Sequence, residues 1–362
     1  MAYTDIDDPS AYFQTTIYTG NGSARALTFN GNSDLQPDWV WIKKRAGGSA
    51  AGHVVTDSVR GVNKQLFTNE VEAEESYTSV LTAFGSNGFS LSTAGLVNTN
   101  TNTYVAWNWK AGTSFTNDAS ATGIGTIDST GSVSTAVGFS ICSWTGNATD
   151  NATVKHGLSQ KPDMVIIKAR ENTSSWLTWH KDLTGAGYAV FLDGTDAQAN
   201  YNILKNQSSS VLTLSTNSAV NANNQGFISY NFHSVKGYSK FSSYTGNGNA
   251  DGTFIYTGFS PAFVMVKRTN GANSWNIKDN RRNNASTSFN INPRNATLLP
   301  NDSAADQDAN ALDFLSNGFK NTSTGNDVNA SGGNFIYMAF AEQPLVGDNP
   351  ATARWLCSYL LT

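Results

Sequence analysis

A short string returns three times along the chain: "IYTGNG" from Ile17, "SWTGNA" from Ser143 and "SYTGNG" from Ser243. Such a repeat constrains the fold more than any lone motif, because each copy has to be one supersecondary unit that buries itself against its neighbours. After each glycine comes a polar stretch, then a proline heading an apolar run: "PDWVWIKKR" from Pro37, "PDMVIIKAR" from Pro162 and "PAFVMVKRT" from Pro261. From Gly20, Gly146 and Gly246 to those prolines the offsets are 17, 16 and 15 residues. The copies also end alike, in "TYVAWNWKAG" (Thr103 to Gly112), "GFISYNFHSVKG" (Gly226 to Gly237) and "NFIYMAFAEQP" (Asn334 to Pro344). Trp107 and Trp109, Tyr230 and Phe232, and Met338 and Phe340 then stand at equivalent places.

The TG string itself reads as a turn. Asn-Gly after an aromatic-Thr strand end supplies the positive φ that a tight strand exit needs. A phosphate loop would need a helix after it and a Lys-Ser/Thr pair. The residues after the turn, "SARALTFNG" or "NADGTFIYTG", alternate like strand instead. The proline-led runs read as core strands, with Trp39 and Trp41 on the face opposite Val40 and Ile42. The more continuous "PDMVIIK" predicts a strand buried on both faces or covered by a loop.

Charged residues are only 14% of the chain and aromatics 11%, with Asn, Ser, Thr and Gly filling the balance. That mixture favours turns and strand faces over helix. The expected fold is therefore all-β, with three tandem antiparallel β-sandwich repeats of the jelly-roll or lectin-like sort. The expected divisions are an N-terminal docking segment (1–16), repeat 1 (17–112), a Gly/Ser/Thr-rich linker or long hairpin (113–137), repeat 2 (138–237), repeat 3 (238–346) and a C-terminal tail (347–362). Repeats 2 and 3, with no linker between them, are expected to pack as a pair. Two stretches have a helical look, "SYTSVLTAFGS" and Ser303 to Asn317.

Composition also narrows function. A formal charge of −4 leaves no basic footprint for nucleic acid, and no apolar run approaches the length of a membrane span. The opening "MAYTDIDDPSAYFQTT" lacks the bases and apolar stretch of a signal peptide. Cys142 and Cys357 are expected to be free thiols, in keeping with assembly in a reducing cytoplasm.

Little in the sequence points to chemistry. Among His53, His156, His180 and His233, only His180 with Asp182 in "TWHKDL" resembles a catalytic or metal pair, and it has no third partner. Asp57, Asp182 and Asp279 recur after strands and read as turn-capping carboxylates. The acidic "EVEAEES" (Glu70 to Ser76) reads as a solvated loop. No catalytic residue, metal or cofactor is therefore expected, and the chain is not read as an enzyme. The positive signal is aromatic. Trp39, Trp41, Trp107, Trp109, Trp176, Trp179 and Trp275 are the candidate surface, ligand or interface residues, able to stack on sugars or dock on protein. The competing reading is that they fill a sandwich interior or a subunit interface.

Several of these strings, "YTGNGNADGTFIYTGFSPAFVMVKRTN", "FLSNGFK", "IYMAFAEQPLVG", "TYVAWNWKAG" and "PDWVWIKKR", resemble a repeat family found in virion proteins of tailed, often marine, bacteriophages, described as tail fibre or structural proteins. The resemblance runs from about Tyr18 to Arg354. It implies a virion component, assembled in the host cytoplasm, that works as a homo-oligomer, a trimer or higher ring, with other virion proteins as partners. Two functions are then expected. The leading one is a tail fibre that adheres to host cell-surface glycan; the alternative is a non-adhesive capsid decoration or tail-associated protein acting by subunit contacts. Neither involves nucleic acid or membrane insertion. Members of that family end near "NPATAR", whereas this chain goes on as the apolar "WLCSYLLT" (Trp355 to Thr362), which is expected either to dock on a neighbouring subunit or to be a peculiarity of this sequence.

Overall fold

In a computed structural model, residues 4, 6–77, 80–282 and 292–344 are described. The expected tail at 347–362 and Cys357 lie outside them. The fold is all-β and its sheets are antiparallel. Helix among the described residues is limited to a 3₁₀ turn at Pro9–Ala11 and four single turns of α-helix.

Three larger sheets share one strand order. The first runs Phe13–Thr19, Thr103–Trp109, Trp39–Ala46, Val54–Asp57; the second, Phe139–Thr145, Gly226–Phe232, Met164–Ala169, Leu177–His180; the third, Ser239–Thr245, Asn334–Pro344, Phe259–Arg268, Asn276–Asp279. In each, the strand that closes a segment lies between the strand that opens it and the proline-led strand. We call these stretches the first (13–109), second (139–232) and third (239–344) segments.

Each larger sheet has a smaller sheet on one face. In the first segment Val40, Ile42, Tyr104 and Ala106 pack against Leu81, Phe89 and Leu91. In the second, Val165, Ile167 and Trp179 meet Val154, Leu212 and Leu214. In the third, Val264, Val266 and Tyr337 meet Ile255, Leu312 and Phe319. The opposite faces of all three larger sheets share one further core, to which Trp39, Trp41, Trp107, Trp109, Met164, Ile166, Tyr230, Phe232, Phe263, Met265, Met338 and Phe340 contribute. Strands with both faces covered need apolar side chains in both directions, which is why the proline-led runs lack the polar-out alternation of a half-buried strand. Burying each Phe, Ile or Met there contributes roughly 1.5–3 kcal/mol.

Glycine is required where the TG strings leave their strands. A Cβ at Gly20, Gly146 or Gly246 would overlap the carbonyl oxygen of Thr99, Ala222 or Ala330. A fully buried asparagine then holds each loop. The side-chain oxygens of Asn98, Asn221 and Asn329 accept from the backbone N–H of Asn21, Asn147 and Asn247, at 3.1, 2.9 and 3.0 Å. Their amides donate to Ser23, Thr149 and Asn249 carbonyls. Gly22 and Gly248 take positive φ, as does Ala148 in the second copy (φ 53°).

Some expectations change. "SYTSVLTAFGS" contains the strand Leu81–Gly85, and Ser303 to Asn317 contains Gln307–Leu315. Both belong to the smaller sheets, so pairing with a neighbouring strand overrides the local helical pattern. The 113–137 stretch is a hairpin: Thr113–Asn117 pairs with Ser129–Ser134, which pairs in turn with Phe139–Thr145. The described part of 1–16 lies against the body of the chain. The Thr4 hydroxyl donates to the Lys236 carbonyl at 3.0 Å, Ile6 enters the shared core, and Phe13 opens a strand. The second and third segments do pack on each other, Phe232 against Phe241 with ring centroids 5.4 Å apart, and the first segment joins them in the shared core.

Candidate functional site

Several buried ionisable and indole groups of this chain gather where one larger sheet meets the next. Strand register sets the correspondence. Trp39 lies opposite Asp57, Met164 opposite His180, and Phe263 opposite Asp279. The counterpart of Asp57 and Asp279 is therefore His180, not Asp182, which sits two residues further on with its side chain 28% exposed.

At the junction of the first segment with the second, the fully buried Asp57 carboxylate holds Arg60 Nε at 2.5 Å and accepts the Tyr230 hydroxyl at 2.7 Å. Its other oxygen accepts the N–H groups of Val59 and Arg60, the turn-capping role expected from the sequence. Arg60 also donates to the Val55 carbonyl and reaches Glu74, which Arg170 of the second segment grips through two nitrogens at 2.9 and 3.0 Å. Burial alone would disfavour the Arg60 charge, but Asp57, Tyr230 and Glu74 hold its pKa above the ordinary value. Glu74 belongs to "EVEAEES", so that string is in part a buried clamp rather than a solvated loop.

The junction of the third segment with the first repeats this plan. Asp279 holds Arg282 Nε at 2.5 Å and accepts the Trp107 indole N–H at 2.9 Å. Arg282 donates to the Ile277 carbonyl and to Asp306, and Asp306 bonds Arg45 of the first segment at 2.6 Å. Burial opposes ionisation of Asp279, yet Arg282 beside it and the bonds from Arg282 and Trp107 keep its carboxyl below the usual value. Leaving such a pair half-broken is costly, because the survivor is a buried, uncompensated charge.

At the junction of the second segment with the third, His180 stands where the acid would be, Leu183 where the arginine would be and Met338 where the donating aromatic would be. The His180 Nδ1 accepts the Asp182 N–H at 3.1 Å, so the imidazole keeps the turn-capping role without charge. Burial lowers its pKa to about 3, with Lys181 acting in the same direction.

Other contacts recur at all three junctions. The buried lysines Lys168, Lys267 and Lys43 donate to the carbonyls of Val71, Thr195 and Ser303, each in a neighbouring segment, at 3.0, 3.1 and 2.8 Å. Burial lowers the pKa of each to about 8. The Trp176 and Trp275 indoles donate to the Phe67 and Phe191 carbonyls at 2.8 and 2.7 Å. His53 holds the matching place in the first segment; its Nδ1 accepts the Trp41 indole at 2.9 Å, and burial pushes its pKa well down. The lysines, Arg60 and Arg282 escape a motif search. Their only sequence signal is position: each of the three lysines lies six residues after its proline.

All seven candidate tryptophans are buried, and none is more than 4% exposed. Trp39, Trp41, Trp107, Trp109, Trp176 and Trp275 lie in the shared core, whereas Trp179 lies in the interior of the second segment. Trp39 stacks on Tyr230 with ring centroids 4.4 Å apart, so these rings join one segment to another. Among the described residues no group of three His, Cys, Asp or Glu side chains could hold a metal ion. Cys142 is buried and its thiol pKa is raised to about 12 by burial. A cavity of about 410 Å³ beside Thr15, Ile17, Asn30 and Arg281 brings together no acid–base pair.

A family model described as "Domain of unknown function (DUF7483)" matches residues 8–344. No curated protein and no solved structure matches the chain.

Proposed function

The chain belongs to the DUF7483 family, and from that premise we propose that it is a non-catalytic structural protein of a tailed-phage virion surface. In this reading it is a tandem of three homologous two-sheet β-sandwich modules closed around a shared core. It works by holding other virion proteins, as a capsid decoration or tail-associated protein. The observation that carries this choice over adhesion is the burial of all seven candidate tryptophans. Rings used to join modules offer no face to a sugar. The virion setting rests on the resemblance of the repeated strings to phage structural proteins.

Antibody labelling of virions in negative stain tests the proposal. Label along the head or tail tube is the expected result, together with silence on a glycan array. Label at fibre tips with specific glycan binding would overturn it in favour of the adhesive reading.

A further inference from the structure

The proline that heads each core strand is followed by Asp38, Asp163 and Ala262 in turn, and the backbone places these three residues alike. The N–H groups of Ser58, Lys181 and Asn280 donate to their carbonyls at 2.8, 2.8 and 2.9 Å. In the first two segments the aspartate side chain ties the start of the core strand to the exit of the closing strand. Asp38 accepts the Ser58 hydroxyl at 2.7 Å and the N–H groups of Ala111 and Gly112 at 2.9 and 2.7 Å. Asp163 accepts the N–H and the hydroxyl of Ser234 at 2.7 and 2.6 Å. Ala262 has no carboxylate to offer, and a cavity of about 150 Å³ lies against it.

Unmet hydrogen-bonding groups wall that cavity. Asn280, the counterpart of Ser58, is only 4% exposed, yet its side-chain amide has no partner among the described residues. The Arg281 guanidinium has none either. Both residues also line the cavity of about 410 Å³, together with Asn30 and with Thr15, whose buried hydroxyl is unpartnered. The two cavities therefore share a wall. Glu342 is the one acid among the described lining residues, and it is exposed, so solvent screens its charge. Buried polar groups left unmet cost stability, and a guanidinium with an amide beside it is matched by a carboxylate.

We propose that a carboxylate group from outside the chain takes the place of the absent aspartate. The Arg281 guanidinium and the Asn280 amide donate to it, and the rest of the ligand lies in the larger cavity against Thr28 and Asn30. The inference goes beyond the virion reading and stands whether or not that reading holds.

The test follows thermal unfolding of the full chain as sodium acetate replaces sodium chloride at fixed ionic strength and neutral pH. A saturable rise in Tm is expected, with resonance shifts centred on Ala262, Asn280 and Arg281 in the isotope-labelled chain. Ala262→Asp supplies the carboxylate from within, so it should raise Tm without acetate and abolish the acetate response. Arg281→Ala, at a partly exposed residue, should keep the fold and weaken acetate about tenfold or more. Lactate and the blocked peptide acetyl-Ser-Asp-Ser-amide distinguish the sources: tighter binding by lactate marks a small hydroxy acid, and tighter binding by the peptide marks a protein side chain. No response to acetate beyond that to chloride, shifts away from these three residues, or a response undiminished by either substitution would overturn the proposal.

Discussion

The junction of the third segment with the first and that of the second with the third use the same backbone positions and opposite chemistry. One is a buried ion pair, Asp279 and Arg282, that takes a hydrogen bond from Trp107. The other places neutral His180 with Leu183 and Met338, the latter two in the shared core. The junction of the first segment with the second follows the ionic plan, with Tyr230 as donor. The geometry thus does not require charge. What the ionic version adds is directionality: a carboxylate with several hydrogen-bonding partners fixes one register between sheets, while an apolar contact tolerates sliding.

Substitutions can break that contrast. The largest effect is expected at the ionic junction. Arg282→Ala should cost about 3–5 kcal/mol in urea unfolding, because Asp279 is then buried without its counter-ion. Replacing Asp279 and Arg282 together by leucine should cost distinctly less, since it converts this junction to the apolar kind. Next, Leu183→Ala should cost about 2–4 kcal/mol by opening a cavity in the shared core, with no change in dependence on salt. Tyr230→Phe should cost about 1.5 kcal/mol, the loss of one hydrogen bond to a charged group.

The finest distinction is in pH. The pKa of His180 is about 3 when folded, against an ordinary 6.5. Between these values the unfolded chain binds the proton and the folded chain does not. Stability is therefore complete above about pH 6.5 and falls as the pH drops toward 3, by at most about 1.4 kcal/mol per pH unit for one such group. His53 and His156, also lowered by burial, contribute in the same direction. His180→Asn, which retains a side-chain acceptor for the turn, should reduce the slope by one proton's worth between pH 4 and 6. Asp279, held below 3.8, adds acid sensitivity only below that range. An unchanged slope in the variant would contradict the neutral buried imidazole.

Much of this architecture can be read from the sequence where position repeats. The TG glycines, the proline-led strands and the closing aromatic strands sit at near-constant offsets, and each forms the element expected at that place. Trp39 and Trp41 do lie on the face opposite Val40 and Ile42. Matching by residue identity fails where matching by register succeeds. Asp182 aligns with Asp57 only because both are acids, yet strand pairing gives the place to His180. Burial of the tryptophans lies beyond local pattern, because alternation shows that two faces differ but not that another segment covers the second face. Glu74 reads as solvated for the same reason, since its partner Arg170 is 96 residues away.

The indoles of Trp107, Trp176 and Trp275 each donate across a junction, to Asp279, Phe67 and Phe191 respectively. Site-assigned hydrogen exchange of the tryptophan indoles in the full chain tests this most directly. All three should exchange only on global unfolding, and Asp279→Asn should shift the Trp107 resonance alone among them. Fast exchange at these indoles under native conditions, or a Trp107 resonance indifferent to that substitution, would contradict the account.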